Sequence, residues 1–216
     1  MNSSVIIPRL PVILLGLVII VTSFVDWSRD LQSWMMVPRE ITASWDQVHA
    51  GAAIQDHALT FLTTLSAAFL HGDFSHLIGN MLIFWIFGVV VTELCGGRWF
   101  IPVFLLTAIG GSIGQILLNP NSPIPTLGAS GGVLGIEGFY FGLAFQHPRQ
   151  DCTVWPLART VNSSELITFA ILGVILDFVG VFDGGQGVAY GAHLGGFATG
   201  ILLSLIAHPF VRGYHE

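Results

Sequence analysis

Long apolar stretches follow one another along this chain, separated by short polar segments. Six of them approach the length of a membrane-spanning helix, at about residues 11–25, 74–91, 100–118, 130–145, 166–181 and 188–207. A helix needs about 20 apolar residues to cross the hydrocarbon core of a bilayer. Only 9% of the 216 residues are charged, which is too few to cover a soluble surface. The pattern predicts an all-α membrane protein with six transmembrane helices in a single domain, residues 1–216.

The first apolar stretch has the length of the hydrophobic part of a signal peptide. Arg9 precedes it, and Asp26 and Trp27 follow it without a small-x-small cleavage site. Because further apolar stretches come after it, we expect this segment to be retained as the first span. Trp27 then lies at the membrane interface, where tryptophan is enriched.

The arginines are distributed unevenly between the two sides of a six-span chain. Five lie on one side, at Arg9, Arg98, Arg149, Arg159 and Arg212. Arg29 and Arg39 lie on the other side. The positive-inside rule therefore predicts that both termini are cytoplasmic. No presequence or organelle signal is recognisable, and such a small bundle fits a bacterial inner (plasma) membrane.

The connection between the first two spans, residues 26–73, is too long for a simple turn. It mixes large apolar side chains such as Trp34 and Trp45 with scattered acidic residues. This mixture is typical of segments that lie in the headgroup region. We predict a long interfacial first loop on the outer side. A disordered acidic loop is the alternative, and the many large apolar residues disfavour it.

Cysteine spacing and charge exclude several classes of site. Cys95 and Cys152 match no zinc or Cys-x-x-Cys spacing, so we expect two plain thiols. The net charge is -6, and no basic cluster indicates a nucleic-acid partner. The expected partners are membrane lipid and transmembrane protein substrates, and no cofactor or metal is expected.

A serine stands where the fourth apolar stretch begins. The preceding residues 119–125 contain three prolines and cannot continue a helix, and Gly128 comes just before regular apolar sequence resumes. Ser130 is therefore expected at or just inside a helix start. Unpaired N–H groups and the positive end of the helix dipole favour a developing oxyanion there. From this segment alone, a helix-capping serine, worth about 1 kcal/mol, is an equally good interpretation.

A histidine lies in the glycine-rich last stretch. His193, Gly196 and Gly200 share one helix face, and a second pair of glycines with the same four-residue spacing follows Ser130. Small faces let two membrane helices approach closely, as a Ser–His hydrogen bond requires. We interpret Ser130 as a nucleophile and His193 as its base. Ordinary helix packing without chemistry is the alternative.

A second polar set lies near the start of the second stretch. His76 and Asn80 are four residues apart and therefore project from one helix face. Together with the Ser130 backbone N–H, they would supply an oxyanion hole. Interhelical hydrogen bonding for stability is the alternative. The residues alone assign no clear role to His71, which precedes this helix.

These motifs together resemble the rhomboid family of intramembrane serine proteases. The resemblance rests on His-x-x-x-Asn, Gly-x-Ser-Gly and Gly-Ala-His-x-Gly-Gly, which occur in the family's order within about residues 65–207. It implies a six-helix bundle with a water-filled cavity that opens outward. It further implies a serine endopeptidase that cleaves transmembrane-helix substrates near the outer face of the membrane.

Site residues follow from the resemblance by position. Ser130 resembles the nucleophile and His193 the general base of a Ser–His dyad, with no third acidic member implied. His76, Asn80 and the Ser130 amide resemble the oxyanion stabilisers, and Gly128 matches the glycine before the nucleophile. Glu93, followed four residues later by a glycine, resembles a structural pattern after the family's second span.

The sequence departs from the family pattern at two positions. Leu134 stands where the family often has an aromatic residue that stacks on the catalytic histidine, so the orientation of His193 must rest on other contacts. Glu137 is unexpected, since it lies seven residues, or about 10 Å, along the helix from Ser130. A carboxyl group in a membrane helix needs a partner. We favour a structural bond to a neighbouring helix over a proton-relay role.

Two other functions remain open at this point. One is a catalytically inactive rhomboid-like binder of membrane helices, which the retention of Ser130 and His193 disfavours. The other is a membrane metal-dependent hydrolase, which would use His71, Asp73, His76 and His193. The absence of His-Glu-x-x-His and of regular ligand spacing disfavours this second alternative.

Glycines also precede the last apolar stretch, at Gly184, Gly185 and Gly187. They would give mobility to an entry gate for substrate beside the fifth span. A plain flexible turn is an equally good interpretation.

Overall fold

The computed structural model describes residues 3–146, 151, 153–154, 156, 161–183 and 187–207. Eight α-helices occupy most of these residues. They are α1 (Ser3–Arg29), α2 (Pro38–His49), α3 (Ala58–Ser66), α4 (Phe74–Cys95), α5 (Phe100–Leu118), α6 (Ser130–Gln146), α7 (Ser163–Asp183) and α8 (Tyr190–Ala207). Short 3₁₀ turns lie at Gln32–Trp34, Ile54–His57, Ala67–Phe69 and Gly97–Trp99. The prediction of an all-helical protein is confirmed for the described part of the chain.

Four of the described segments are long and apolar enough to cross a membrane, namely Arg9–Arg29, Phe74–Cys95, Gly97–Leu118 and Ser163–Phe182. Helix α6 has 17 residues, and the apolar part of α8 covers Tyr190–Ile206. Both are shorter than the roughly 20 residues of a straight crossing. The chain therefore has the helices of a membrane protein, and the number of six spans stays a prediction.

The helices begin and end within about three residues of the predicted apolar stretches, with the exception of α1 and α4. Helix α1 begins at Ser3 and ends at Arg29, whereas its apolar stretch covers residues 11–25. Helix α4 continues four residues beyond its predicted end, to Cys95. Hydropathy marks the part of a helix that suits lipid, and helical hydrogen bonding continues into the more polar residues beyond it.

The connection between α1 and α4 is folded rather than disordered. It contains α2 and α3, and it packs on the segment before α6 through backbone bonds between Met36 and Thr126 of 3.0 and 2.7 Å. The Ser66 hydroxyl also donates to the Trp34 carbonyl at 2.8 Å. The long loop thus braces the chain just before Ser130, and its position at the membrane interface stays a prediction.

The core lies between α4, α5 and α6. Its largest fully buried side chains are aromatic, at Phe84, Phe87, Phe100, Phe104 and Phe139. Phe84 meets both Phe100 and Phe104 edge to face. Helix α7 instead exposes much of its apolar surface, including Phe178 and Phe182. An exposed apolar helix face of this size fits contact with lipid.

Glycines bring α5, α6 and α8 together backbone to backbone. A methyl group placed on Gly196 would lie 2.0 Å from the carbonyl oxygen of Gly131, and one on Gly200 would lie 2.0 Å from that of Gly135. On α5, a methyl group on Gly114 would lie 2.7 Å from the Cα of Gly195. We call these contacts the glycine seam. The close helix approach that the glycine spacing predicted is present.

Polar contacts at both ends of α1 fix its antiparallel position on α4. At one end Arg9 forms an ion pair with Glu93, and its guanidinium also donates to the Thr153 carbonyl at 2.8 Å. At the other end the Trp27 indole donates to the His71 carbonyl at 2.5 Å. Glu93 therefore has a structural contact of the kind that its resemblance implied.

Candidate active site

The predicted site residues all lie at the end of the bundle where α1 meets His71. Helices α4, α6 and α8 begin at this end, and α7 ends there. His76 and Asn80 occupy the first two turns of α4, Ser130 is the first residue of α6, and His193 is the fourth residue of α8. The up-and-down arrangement of the helices brings them to one level of the bundle.

Ser130 stands at the start of α6, as its sequence context predicted. The first intrahelical bond runs from the Val133 N–H to the Ala129 carbonyl at 2.9 Å, so the N–H groups of residues 130–132 have no partner within the helix. The half-buried Ser130 hydroxyl makes no hydrogen bond in the described part of the chain. The capping interpretation therefore lacks its hydrogen bond.

Gly128 places the segment before Ser130 directly against His76. Its φ is +125°, and its N–H donates to the Ala67 carbonyl at 2.9 Å. A methyl group on Gly128 would lie 2.8 Å from the Nε2 of His76 and 3.7 Å from the Oγ of Ser130. Space and backbone conformation both require glycine here. The structure thus brings His76, Gly128 and Ser130 together.

Asp73 determines where α4 begins and so helps to orient His76. Its carboxylate accepts the His76 N–H at 2.8 Å and the Ser75 hydroxyl at 2.5 Å. These bonds, that from Ser75 first, lower the pKa of the Asp73 carboxyl below its usual value. Asp73 therefore caps the N-terminus of α4, and its carboxylate is occupied by these two hydrogen bonds.

Asn80 lies one turn after His76 and is buried. Within the described residues its amide nitrogen has no hydrogen-bond partner. A buried donor without a partner costs about 1–3 kcal/mol. The amide nitrogen thus makes none of the interhelical bonds that the stability interpretation requires.

His71 anchors the segment before Ser130 from within the protein. Its Nε2 accepts the Ala129 N–H at 3.3 Å, and its Nδ1 lies 2.9 Å from the Ser23 hydroxyl oxygen. The Ser23 hydroxyl itself donates to the Ile19 carbonyl at 2.8 Å, so Nδ1–H is the donor to Ser23. Burial, followed by the nearby His76, lowers the pKa of His71 to about 4. His71 is a neutral link between α1 and the segment before Ser130.

His193 has an acidic partner that the sequence analysis missed. Its Nδ1 lies 2.8 Å from Oδ1 of Asp177 on α7, and both side chains are largely buried. The resemblance implied no acidic member, because the family pattern contains none. A signal was nevertheless present, since Asp177 is a single carboxyl inside an apolar stretch, where charge needs a partner.

Aromatic support for His193 comes from its own helix. The Tyr190 ring meets the imidazole edge to face, with 6.3 Å between the ring centroids. Leu134 of α6 has no ring to offer, as the sequence analysis noted. Asp177 and Tyr190 are therefore the contacts that orient His193 in the described structure.

Ser130 and His193 are neighbours without a direct hydrogen bond between them in the described residues. The residues beside them touch, since a methyl group on Gly131 would lie 3.4 Å from the Ala192 carbonyl oxygen. His76 also lies near His193. Catalytic hydrogen bonds are often long without substrate and tighten when it binds.

Glu137 is buried in α6 and faces α7. Its Oε1 lies 3.8 Å from the position that a Cβ on Gly173 would occupy, and Asp177 lies one turn further along α7. The expected hydrogen bond to a neighbouring helix is not among those of the described residues. The neighbouring helix that Glu137 contacts is therefore α7, which carries Asp177.

The metal-site alternative finds no support in the arrangement of side chains. Within the described ranges, no three His, Cys, Asp or Glu side chains are placed to share a metal ion. Both ring nitrogens of His71 are bonded to protein groups, and the Asp73 carboxylate caps α4. Gly184, Gly185 and Cys152 lie outside the described residues, as do Arg149, Arg159 and Arg212.

Comparison with known proteins gives consistent matches. A rhomboid domain model matches residues 58–210. The mitochondrial rhomboid protein 1 of Saccharomyces cerevisiae is 30% identical over 154 residues, which cover 68% of this chain and 42% of the yeast protein. The putative rhomboid protease YdcA of Bacillus subtilis is 28% identical over 138 residues, covering 63% of this chain and 62% of YdcA.

A second Bacillus subtilis protein, the rhomboid protease GluP, is 28% identical over 142 residues, covering 65% of this chain and 26% of GluP. The chain thus spans less than two thirds of the length of each of these relatives. All the candidate residues lie within the region that the domain model matches.

Proposed function

Because the chain belongs to the rhomboid family, we propose that it is a serine-type intramembrane endopeptidase that cuts transmembrane helices near the outer membrane face. The apolar helices and the family make the chain an integral membrane protein. The observation that carries the proposal is the position of Ser130, which begins α6 with uncommitted N–H groups while Gly128 holds it beside His76.

The proposed reaction begins when the Ser130 oxygen attacks the carbonyl carbon of the scissile peptide. His193 takes the hydroxyl proton, and the carbonyl oxygen becomes an oxyanion. The Ser130 N–H, the Asn80 amide and His76 are its proposed donors. The unpartnered Asn80 nitrogen supports this role, because an oxyanion would supply the acceptor that the described protein groups do not.

The tetrahedral intermediate then expels the amine as the peptide C–N bond breaks. His193 returns its proton to that amine, leaving an acyl group on Ser130. Water attacks the acyl carbon, His193 accepts a proton from it, and the carboxyl product leaves as the proton returns to Ser130. No cofactor is needed to balance these steps.

The membrane arrangement is part of the proposal. We take α1, α4, α5, α6, α7 and α8 as six spans, with both termini in the cytoplasm and the site at the outer end. Arg9 and Arg98 lie at the end of the bundle opposite to the site, which supports this direction. Cysteine labelling from either side of intact membranes tests it, with Cys substituted for Asn2 and for Gln55 as the two reporters.

The compartment is proposed to be a bacterial inner membrane. One of the similar proteins named above comes from Bacillus subtilis, and another is a mitochondrial protein of yeast. Fractionation of cells that express the chain from its native promoter tests this part of the proposal.

The proposal is tested by cleavage of a model transmembrane substrate in liposomes. Wild type, Ser130→Ala and His193→Ala are compared, with Ser66→Ala as a control serine whose hydroxyl donates to the Trp34 carbonyl, away from the proposed site. We expect either site substitution to reduce turnover by at least about a thousandfold. Equal cleavage by all four proteins would overturn the proposal.

The inactive-binder alternative makes a different prediction in the same preparation. An inactive relative would bind transmembrane helices, would fail to cut them and would not react with a serine-directed fluorophosphonate. Labelling of wild type at Ser130, absent from Ser130→Ala, supports the enzyme. Cleavage that a chelator abolishes and a divalent metal restores would favour the metal-dependent hydrolase instead.

A further inference from the structure

We infer that Asp177 is a positioning residue for His193, which fixes the imidazole so that Nε2 faces the nucleophile. The inference rests on the proposed function, because it assigns a role within that site. It departs from the family resemblance, which implied a serine and a histidine alone.

The contact between Asp177 and His193 is short and sheltered. Nδ1 and Oδ1 are 2.8 Å apart, and the side chains are 16% and 13% exposed, respectively. It is the single hydrogen bond of the Asp177 side chain in the described part of the protein. Neighbours of Asp177 on α7, such as Leu176 and Phe178, are exposed apolar residues. A carboxyl group in such surroundings needs a hydrogen-bond partner, and His193 supplies it.

The bond decides which imidazole nitrogen is available as a base. A carboxylate can only accept hydrogen bonds, so Nδ1 of His193 must carry the proton that lies between the two groups. Nε2 of the neutral ring then has a lone pair and can accept the Ser130 proton. Without an acceptor at Nδ1, the ring can adopt the other tautomer, in which Nε2 is protonated and cannot act as a base.

Asp177 also replaces a support that this chain lacks. Leu134 offers no ring to stack on the imidazole, and Tyr190 contacts it edge-on from the same helix. Asp177 reaches His193 from α7, so it restrains the ring from a different direction. Asp177 thus fixes both the orientation and the tautomer of the His193 ring, as the aspartate of a Ser-His-Asp triad does for its histidine.

Two other titratable groups lie near the pair and define the proper controls. They are His76 on α4, near His193, and Glu137 on α6, near Asp177. Glu137 is buried in the same region and has no bond to His193. Glu137→Gln is therefore the matched control for the removal of a buried carboxyl group near the site.

The kinetic test compares Asp177→Asn and Asp177→Glu with wild type in liposomes. An asparagine amide can donate to Nδ1 and so permits the wrong tautomer. We expect Asp177→Asn to lower kcat by about 10²- to 10⁴-fold, with KM within about twofold and an unchanged melting temperature. Asp177→Glu keeps an acceptor and is expected to recover at least tenfold of that loss, while Glu137→Gln stays within about threefold of wild type.

A spectroscopic test reads the tautomer of His193 in the wild-type protein itself. Nitrogen NMR of ring-labelled wild type at pH 8 reports which nitrogen of His193 is protonated, with His193→Gln used to assign the signal. We expect the proton on Nδ1. A neutral ring with its proton on Nε2 would overturn the inference.

The two proposals fail in distinguishable ways. Wild-type kcat in Asp177→Asn, together with an inactive Ser130→Ala, would overturn the positioning role and leave the protease proposal intact. Full activity of Ser130→Ala would overturn the protease proposal itself. A low kcat in Asp177→Asn, with Glu137→Gln near wild type, Ser130→Ala inactive and the wild-type proton on Nδ1, supports both.

Discussion

Acidification is expected to destabilise this protein through one buried imidazole. His71 is fully buried, donates from Nδ1 to Ser23 and accepts the Ala129 N–H at Nε2. A second proton on the ring would sit on Nε2 and face the Ala129 N–H, so that two donors would oppose each other. The perturbation therefore acts directly on the segment that precedes Ser130.

The magnitude follows from the pKa of His71, which is lowered from 6.5 to about 4. The unfolded chain takes up the proton near pH 6.5, and the folded protein resists it until about pH 4. Stability from this group is thus complete above pH 6.5 and is lost as the pH falls toward 4. A difference of about 2.5 pKa units corresponds to about 3 kcal/mol in the free energy of unfolding.

The assay is unfolding in detergent micelles between pH 7.5 and 4, followed by circular dichroism. His71→Gln is the informative variant, because its side-chain oxygen can accept the Ala129 N–H but does not titrate in this range. We expect wild type to lose about 3 kcal/mol more than His71→Gln over this interval. His49→Gln removes an exposed histidine on α2 and should follow the wild-type curve.

Parallel pH curves for wild type and His71→Gln would refute the reasoning. Such a result would mean that the ring is protonated in the folded state at the same pH as in the unfolded chain. The hydrogen bonds of His71 with Ser23 and Ala129 would then not keep the ring unprotonated, and the proposed anchoring of the segment before Ser130 would be wrong.

Three further predictions concern glycines and Glu137. Gly128→Ala introduces a methyl group 2.8 Å from the His76 ring at a φ of +125°, so fluorophosphonate labelling of Ser130 should slow at least tenfold, whereas Gly72→Ala, with open space around it, should leave labelling unchanged. Gly196→Ala should lower the free energy of unfolding by about 1–3 kcal/mol, measured by denaturation in micelles, because its methyl group meets a backbone carbonyl at 2.0 Å. Glu137→Gln should cleave the model substrate at a rate within about threefold of wild type. Loss of cleavage in this variant, with the free energy of unfolding unchanged, would favour a proton-relay role.

Features determined by nearby residues were predictable from the sequence. The start of α6 at Ser130 follows from the prolines before it, and the close approach of Gly196 to α6 follows from the spacing of small residues. Both signals lie within a few positions of the feature that they predict. The same holds for the positions of the long apolar helices.

Contacts between distant segments were not predictable in the same way. The bond between His193 and Asp177 depends on how α7 is rotated against α8, and residue spacing does not determine that rotation. His71 bonds to Ser23, which lies on α1, 48 positions earlier in the chain, and no local pattern indicates this bond. Residues 26–73 form α2 and α3 because each short piece can bury one apolar side against its neighbours, which a survey for long apolar stretches overlooks.

The glycine seam has a consequence for how tolerant the site is to variation. Contacts between main-chain atoms do not depend on which rotamer a neighbour adopts or on which apolar side chain faces the lipid. The position of α8 along the axis of α6 is therefore set by main-chain contacts, and it can change only by a shift of a whole residue. Substitutions over the outer surface can accumulate without altering the relative height of Ser130 and His193, whereas one added carbon atom at Gly196 or Gly200 forces the two helices apart.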